Sequence, residues 1–380
     1  MGRTQKATKN IVTGLVNKAA LMLLAFVTKT AFIRLLGAEY NGVSSLYTNI
    51  LSVLALAELG VGNVLMFYLY AALERKNEEE VSALVYEFKK IYNAIIVCVL
   101  AVGLALVPFL QFLVNSNLER SELIIYYLLY LANSVASYFV VYRTTVIRAD
   151  QSEWILNNVS TASTVVMYIL QLTYLYKFRN FLGYLIIQVV CTIANNLIQN
   201  YIAVKRYPYL KEKPTHKVDI DKSALIGNVK ATFLFKVSDT ILDQTDNIII
   251  SVMIGTLAVG MYSNYYMLIM YLVNIAGIIA NGMVASFGNL YVEGNKEKSY
   301  KMLRVSMLLF SFYGTICGVC YICLIQDFIP IWVGKQYLME YDLVFAVVAV
   351  FYLRMVTNTI WIYRSSMGLF KEVQYINIAA

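Results

Sequence analysis

Ten long apolar runs determine what this chain can fold into, because each is long enough to cross a bilayer as a helix of about 20 residues. The predicted spans are Ile11–Leu36, Leu46–Tyr70, Ile91–Leu113, Ile124–Ile147, Trp154–Tyr176, Phe181–Val204, Ala231–Ile254, Val259–Ala285, Met302–Ile325 and Leu343–Tyr363. Only 14% of the 380 residues are charged, whereas a soluble domain has about 25%. The runs are continuous rather than alternating, which favours helices over barrel strands. The sequence therefore predicts an all-α polytopic membrane protein.

Positive charge alternates between successive loops and indicates how the chain is oriented in the membrane. One set of loops and helix ends carries most of it, at Arg3, Lys6, Lys9, Arg75, Lys76, Lys89, Lys90, Arg148, Lys205, Arg206, Lys211, Lys213, Lys217, Lys222, Lys230, Lys296, Lys298, Lys301 and Arg304. The other set has only Arg120, Lys177, Arg179 and Lys335. The positive-inside rule places the first set and the N-terminus in the cytoplasm. The net charge of +8 thus reflects membrane orientation, and we expect no nucleic-acid partner.

The sequence also repeats itself weakly over its two halves. The segment Leu36–Gly42 matches Ile254–Gly260 in its two glycines, and Tyr142–Thr145 matches Tyr363–Ser366 in its Tyr-Arg pair followed by two hydroxyl residues. Six predicted spans separate the copies. Because six is an even number, both copies have the same orientation, which is typical of repeats related by an axis along the membrane normal. We therefore predict two six-helix lobes in parallel repeat.

The repeat gives expected domain boundaries. Residues 1–204 form the N-terminal lobe with spans 1 to 6, and residues 205–230 form a cytoplasmic linker. Residues 231–380 form the C-terminal lobe with spans 7 to 10 and the start of span 11. By this reasoning the second lobe is incomplete, and the sequence is expected to be a fragment that lacks at least two helices.

Four charged residues lie within the seventh predicted span, at Lys236, Asp239, Asp243 and Asp246. Their spacing of three or four residues places them on one broad face of a helix. Each central charge would cost about 2.5–3.5 kcal/mol if it faced lipid, so this face is expected to line a polar cavity. The aspartates either pair with Lys236 and internal arginines, or one of them exchanges H⁺ or binds Na⁺.

Further basic residues in the spans indicate an anionic substrate. A cavity lined by Lys29, Arg143, Lys236, Arg354 and Arg364 would attract an anion, and arginine suits phosphate geometry in particular. The alternative for Arg143 and Arg364, which lie near span ends, is that they only reach the lipid headgroups. Lys29, Lys236 and Arg354 lie deeper in their spans and favour a function.

The sequence does not indicate an enzyme. The single histidine, His216, lies in a polar loop, which excludes a histidine-based catalytic triad. Cys317, Cys320 and Cys323 lie in an apolar run with no His, Asp or Glu among them, so packing residues are expected rather than metal ligands. The sequence contains no Walker loop or dinucleotide fingerprint. The longest outside loop, near Asp327–Tyr341, is too short for an extracytoplasmic catalytic domain.

Four stretches carry a resemblance to a known family: FIRLLGAEYNGVSSLYTNILSVLALAELGVGNVLMFYLY from Phe32, VIRADQ from Val146, YPYL from Tyr207 and DTILDQTDNIIISVMIG from Asp239. The chain resembles the Wzx-type flippases of polysaccharide repeat units, in the multidrug/oligosaccharidyl-lipid/polysaccharide (MOP) exporter superfamily. The resemblance implies a MATE-like fold of two lobes around a central cavity. It also implies a place in the cytoplasmic (plasma) membrane of a bacterium.

The resemblance further implies a function in the biosynthesis of surface polysaccharide such as lipopolysaccharide or capsule. A member flips undecaprenyl-diphosphate-linked oligosaccharide from the inner to the outer leaflet by alternating access. Cationic residues engage the diphosphate, and Lys29, Arg143, Lys236, Arg354 and Arg364 are the matching types here. The implied partners are the lipid-linked oligosaccharide, membrane lipids and other polysaccharide assembly proteins. No cofactor is expected beyond coupling to H⁺ or Na⁺, for which Asp239, Asp243 or Asp246 would supply a carboxylate.

Three other functions stay open. A cation-coupled drug antiporter of the same superfamily would be expected to have a cavity dominated by carboxylates, whereas the spans here carry an excess of basic residues. A membrane glycan polymerase or ligase would be expected to have a sizeable outside loop. A non-transporting scaffold is compatible with an incomplete second lobe.

Overall fold

The computed structural model describes residues 3–55, 61–211, 214, 245–292 and 296–367, and within these ranges the regular structure is entirely helical. The chain divides into two compact units, Met1–Thr256 and Leu257–Ala380. The predicted lobe boundaries at residues 204 and 231 stay a prediction, because most of residues 212–244 lie outside the described residues.

The first unit contains ten described helices. They are α1 (Arg3–Leu36), α2 (Ala38–Leu54), α3 (Val61–Glu74), α4 (Glu78–Leu106), α5 (Leu110–Leu113), α6 (Arg120–Ala136), α7 (Val141–Ala149), α8 (Glu153–Phe178), α9 (Phe181–Arg206) and α10 (described over 245–253). Short 3₁₀ turns follow α4 at Val107–Phe109 and α9 at Pro208–Lys211. The second unit is built on α11 (Thr256–Val292), α12 (Lys296–Trp332) and α13 (Tyr341–Met367), with a 3₁₀ turn at Lys335–Tyr337.

Seven helices in the described ranges are long and apolar enough to span a membrane. The pair α6 and α7, bent by 43°, makes an eighth when it is counted as one broken span. These correspond to eight of the ten predicted spans. The predicted span Leu46–Tyr70 includes residues 56–60, and Ala231–Ile254 includes residues 231–244, which lie outside the described residues. The all-α polytopic prediction is confirmed.

Local sequence signals explain where several helices begin and end. Asn77 caps α4, since its side-chain oxygen accepts a hydrogen bond from the Glu80 backbone N–H at 3.1 Å. Asn180 caps α9 in the same way by accepting from Gly183 N–H at 3.1 Å. Between α8 and α9, Arg179 takes the left-handed conformation with φ 47°. These caps satisfy backbone groups that the helix ends leave unpaired.

The bend between α6 and α7 is stabilised by a polar side chain from α9. The chain leaves helical geometry over residues 137–140, where there is neither Pro nor Gly. The carbonyl of Ala136 accepts a hydrogen bond from Asn196 Nδ2 at 2.6 Å. The same carbonyl also accepts from the Phe139 N–H at 3.3 Å. Because an unpaired carbonyl inside a membrane is costly, the two bonds together stabilise the break. Thr192 Oγ1 of α9 bonds nearby to Asn133 Oδ1 of α6 at 2.7 Å.

The internal repeat is visible in the positions of the helices. Gly37 precedes α2 with φ 96°, and Gly255 precedes α11 with φ 129°. The helices that follow begin at Ala38 and Thr256, which are 218 positions apart. The next pair, α4 and α12, begins at Glu78 and Lys296, again 218 positions apart. The repeat read from short sequence matches therefore extends over whole helices.

Candidate functional site

Lys29 is a basic side chain placed beside the aromatic ring of Phe32. It lies on α1, seven residues before the helix ends, and its Nζ is 5.9 Å from the ring centroid of Phe32. No carboxylate forms an ion pair with Lys29 within the described ranges. A cation in such surroundings is unfavourable unless an anion accompanies it. Lys29 is therefore suited to receive an anionic ligand.

The surroundings of Lys29 combine aromatic rings with two buried polar side chains. The ring of Phe32 lies 5.4 Å from that of Phe181 and 5.1 Å from that of Tyr184, both in the first turn of α9. Gln171 of α8 donates from Nε2 to the backbone carbonyl of Tyr184 at 3.2 Å. Thr28, next to Lys29, is only 2% exposed. We call Thr28, Lys29, Phe32, Gln171 and Tyr184 the Lys29 site.

Arg143 is the second predicted cation in the first unit. It lies on α7, and its Nη1 donates to Asn200 Oδ1 of α9 at 2.7 Å. The guanidinium carbon is 5.6 Å from the ring centroid of Tyr142. The Nε atom is buried and has no hydrogen-bond partner in the part of the chain that the structure describes. Asn200 thus fixes the guanidinium while leaving N–H groups for an acceptor.

The structure does not bring Lys29 and Arg143 together. The Lys29 site contacts α9 at Tyr184, whereas Arg143 contacts the same helix at Asn200. Sixteen residues of α-helix separate these contacts by about 24 Å along the helix axis. A single diphosphate cannot reach both cations at once.

Arg354 and Arg364, predicted in the second unit, both lie on α13. The Nη1 of Arg354 is 3.8 Å from the sulfur of Met270 on α11. Beside Arg364, the ring of Tyr363 packs on that of Phe287, with centroids 5.6 Å apart. Ten residues separate the two arginines, which places them about 15 Å apart along the helix.

The charged stripe predicted for the seventh span is only partly described. Lys236, Asp239 and Asp243 lie outside the described residues. Asp246 lies on α10 with an exposed side chain. Its neighbour Asn247 is buried, as is Ser251, whose Oγ donates to the Leu113 carbonyl at 2.6 Å. The cation-coupling role of these three aspartates stays a prediction.

A polar network that the sequence did not predict joins the C-terminal ends of α7 and α9. Arg206 donates through Nη2 to Asp150 Oδ2 at 3.0 Å and to Ser152 Oγ at 2.9 Å. The Tyr207 hydroxyl donates to the same carboxylate oxygen at 3.0 Å and accepts from Arg206 Nε at 3.1 Å. Burial, with the Asp150 charge, raises the pKa of Tyr207. The network links the VIRADQ and YPYL stretches, with contacts between residues 54 to 57 positions apart.

Replacing Tyr207 by Phe tests this network through its pH dependence. The variant loses two hydrogen bonds, and we expect it to unfold about 1 kcal/mol more easily near pH 8. Above pH about 10, the unfolded tyrosine ionises while the folded one stays protonated, so the wild type loses stability as pH rises. The difference in unfolding free energy between the wild type and Tyr207→Phe should therefore decrease from about pH 9 to about pH 11, as measured by thermal unfolding.

The matched control is Tyr201→Phe, because Tyr201 is 65% exposed and makes no hydrogen bond to Asp150 or Tyr207 within the described residues. Near pH 8 this control should unfold within about 0.5 kcal/mol of the wild type. If the stability difference between the wild type and Tyr207→Phe does not change with pH, the hydrogen bonds assigned to the Tyr207 hydroxyl are contradicted.

Comparison with known proteins places this geometry in context. A family model described as polysaccharide biosynthesis protein matches residues 7–286. No curated protein matches the chain significantly. Among solved structures, the chain is similar to a multidrug resistance MATE family transporter of the MOP superfamily in an inward-facing conformation, with TM-score 0.71 and 12% identity. That match covers 94% of this chain and 83% of the transporter.

Two further solved MATE structures are also similar in fold to this chain. The MATE multidrug transporter DinF-BH, solved in complex with a ligand, matches with TM-score 0.63 and 15% identity, over 99% of this chain and 85% of that chain. A MATE structure in complex with MaD3S matches with TM-score 0.61 and 11% identity, over 98% of this chain and 84% of that chain. At these identities the likeness concerns the fold alone. It confirms the predicted MATE-like fold class.

Proposed function

The chain belongs to the polysaccharide biosynthesis protein family, and from this premise we propose that it flips a lipid-linked oligosaccharide across the membrane. Family and fold are those of MOP-superfamily transporters, and the apolar helices make it a multi-pass membrane protein. In our proposal the substrate is an undecaprenyl-diphosphate-linked repeat unit of a surface polysaccharide. The membrane is the bacterial cytoplasmic membrane, with the N-terminus inside.

The observation that carries the proposal is the setting of Lys29. A cation-coupled drug antiporter needs carboxylates to bind cationic drugs, whereas Lys29 offers an ammonium group among aromatic rings with no carboxylate paired to it in the described ranges. An anionic diphosphate supplies the missing counter-charge and accepts charge-assisted hydrogen bonds. The half-buried ring of Tyr184 suits the apolar face of a sugar ring.

The separation of the two cations in the first unit supports a stepwise path. In our proposal the diphosphate meets Arg143 near the inner end of α9 and Lys29 near its outer end. Lys236, Arg354 and Arg364 are the further proposed substrate cations, and Asp239, Asp243 and Asp246 the proposed H⁺ or Na⁺ ligands. Membrane lipids and other polysaccharide assembly proteins are the proposed partners. No catalytic step is required of this chain.

Deleting the gene in its own host tests the proposal. We expect surface polysaccharide to disappear and lipid-linked repeat units to accumulate on the cytoplasmic leaflet, because the assembly enzymes outside the membrane lose their supply. A plasmid copy should restore the polysaccharide. Unchanged surface polysaccharide together with a new sensitivity to cationic dyes would instead favour a drug antiporter.

A further inference from the structure

Two buried polar atoms in the Lys29 site have no hydrogen-bond partner within the described ranges. They are Oγ1 of Thr28 and Oε1 of Gln171, on side chains that are 2% and 1% exposed. Buried polar atoms are nearly always paired, and leaving one unpaired is unfavourable. The function proposed above uses neither atom. Each therefore needs an explanation of its own.

The hydroxyl of Thr28 differs from those of Thr30 on α1 and Thr173 on α8. Thr30, two residues later on α1, donates its hydroxyl to the Phe26 carbonyl at 2.7 Å. Thr173 on α8 bonds in the same way to the Ile169 carbonyl at 2.9 Å. Such back-bonding is the usual solution for a threonine in a helix. Because Thr28 does not use it, its buried hydroxyl has no hydrogen-bond partner in the described ranges.

A hydrogen bond from Nε2 fixes the orientation of the Gln171 side-chain amide and leaves its oxygen, Oε1, without a partner in the described ranges. Nε2 donates to the Tyr184 carbonyl at 3.2 Å, and a carbonyl only accepts, so the amide cannot be turned around. The oxygen is therefore the atom without a partner in the described ranges. An amide oxygen accepts hydrogen bonds and donates none. The group that satisfies it must carry an O–H or N–H.

The polar atoms of the Lys29 site are connected through its aromatic rings. Phe32 lies one turn beyond Thr28 and Lys29 on the same side of α1. Its ring touches Tyr184, the residue that Gln171 holds. The site thus offers an ammonium group, a hydroxyl and an amide oxygen around two aromatic rings. A complementary ligand has an anionic oxygen next to a hydroxyl or amide N–H.

We propose that the Lys29 site binds the first sugar of the substrate together with the phosphate attached to it, which rests on the flippase function proposed above. Lys29 Nζ and the Thr28 hydroxyl donate to phosphate oxygens. Gln171 Oε1 accepts from a hydroxyl or an N-acetyl N–H of the sugar. The ring of Tyr184, which Phe32 supports from behind, packs on the apolar face of that sugar. Gln171 is therefore the residue that distinguishes a sugar-bearing lipid from bare lipid diphosphate.

Direct binding to the purified full chain tests this assignment. The probes are farnesyl diphosphate and farnesyl diphosphate carrying glucose, galactose or N-acetylglucosamine. We expect the wild type to bind at least one sugar-bearing probe about 10-fold more tightly than the bare diphosphate. Gln171→Leu should abolish that preference while changing the Kd of the bare diphosphate less than about 2-fold. Thr28→Val should weaken both kinds of probe about 5- to 10-fold.

Thr30→Val and Thr173→Val are the matched controls, because their hydroxyls bond to their own helices. Both should bind every probe like the wild type. Equal effects of Gln171→Leu on bare and sugar-bearing probes, or no effect on either, would overturn the assignment. If Gln171→Leu does not fold, Gln171→Met gives the same comparison. A wild type that binds none of the diphosphate probes would refute the flippase function itself.

Discussion

Replacing Lys29 by Met is expected to reduce export of surface polysaccharide about 10- to 100-fold, because a hydrogen bond to a charged group contributes about 1.5–3 kcal/mol. The variant should also be at least as stable as the wild type, since it removes a cation with no paired carboxylate in the described ranges and keeps a side chain of similar length. Export from a chromosomal replacement and thermal unfolding in detergent measure the two effects.

If Lys29→Met loses export but keeps or gains stability, Lys29 acts in binding. If it loses both, Lys29 acts in packing. Lys18 on the same helix is exposed, so Lys18→Met is the matched control and should export normally. Export at the wild-type level by Lys29→Met would contradict the role of Lys29. So would a loss of export explained entirely by a fall in unfolding temperature.

Replacing Gly255 by Ala is expected to destabilise the protein by about 1–3 kcal/mol, because its φ of 129° is a conformation that few residues other than glycine adopt. An added Cβ would also lie 3.3 Å from the Asn115 carbonyl oxygen. That oxygen accepts from both the N–H and the hydroxyl of Thr256 at 2.9 and 3.0 Å. The loss of stability would be measured by thermal unfolding, and by the fraction of detergent-extracted protein that elutes as a single species in size-exclusion chromatography.

Two other glycines calibrate this prediction. Gly37→Ala should destabilise less, because φ is 96° but no described atom lies within 4 Å of the added Cβ. Gly277→Ala, within α11 and in open space, should be neutral or stabilise by about 0.5–1 kcal/mol. Equal stabilities for Gly255→Ala and Gly277→Ala would contradict the conformation assigned to Gly255.

The features that the sequence predicted well depend on local chemistry. A spanning helix needs only a long apolar run, and a helix break with positive φ needs glycine, so Gly37 and Gly255 identified the repeat. The structure extends that repeat to the starts of α2, α4, α11 and α12. Such signals are contained within a few neighbouring residues.

The features that the sequence did not predict depend on how neighbouring helices are aligned. Periodicity gives the angle of Lys29 or Arg143 around its own helix. Only the packing shows that their sites contact α9 at Tyr184 and Asn200, about 24 Å apart along its axis. Thr28 and Thr30 look alike in sequence, yet only Thr30 bonds to its own helix. Asp150 and Arg206 are 56 residues apart in sequence, so no local sequence pattern predicts their ion pair.

Reconstitution in proteoliposomes tests the central claim most directly. A fluorescently tagged, polyprenyl-diphosphate-linked sugar is placed in both leaflets, and a membrane-impermeant reductant bleaches only the outer one. Flipping by the wild type should expose the inner pool, whereas Lys29→Met should expose it about 10- to 100-fold more slowly. If the wild type leaves the inner pool protected, or if Lys29→Met exposes it equally fast, the chain does not flip lipid-linked sugars through the Lys29 site.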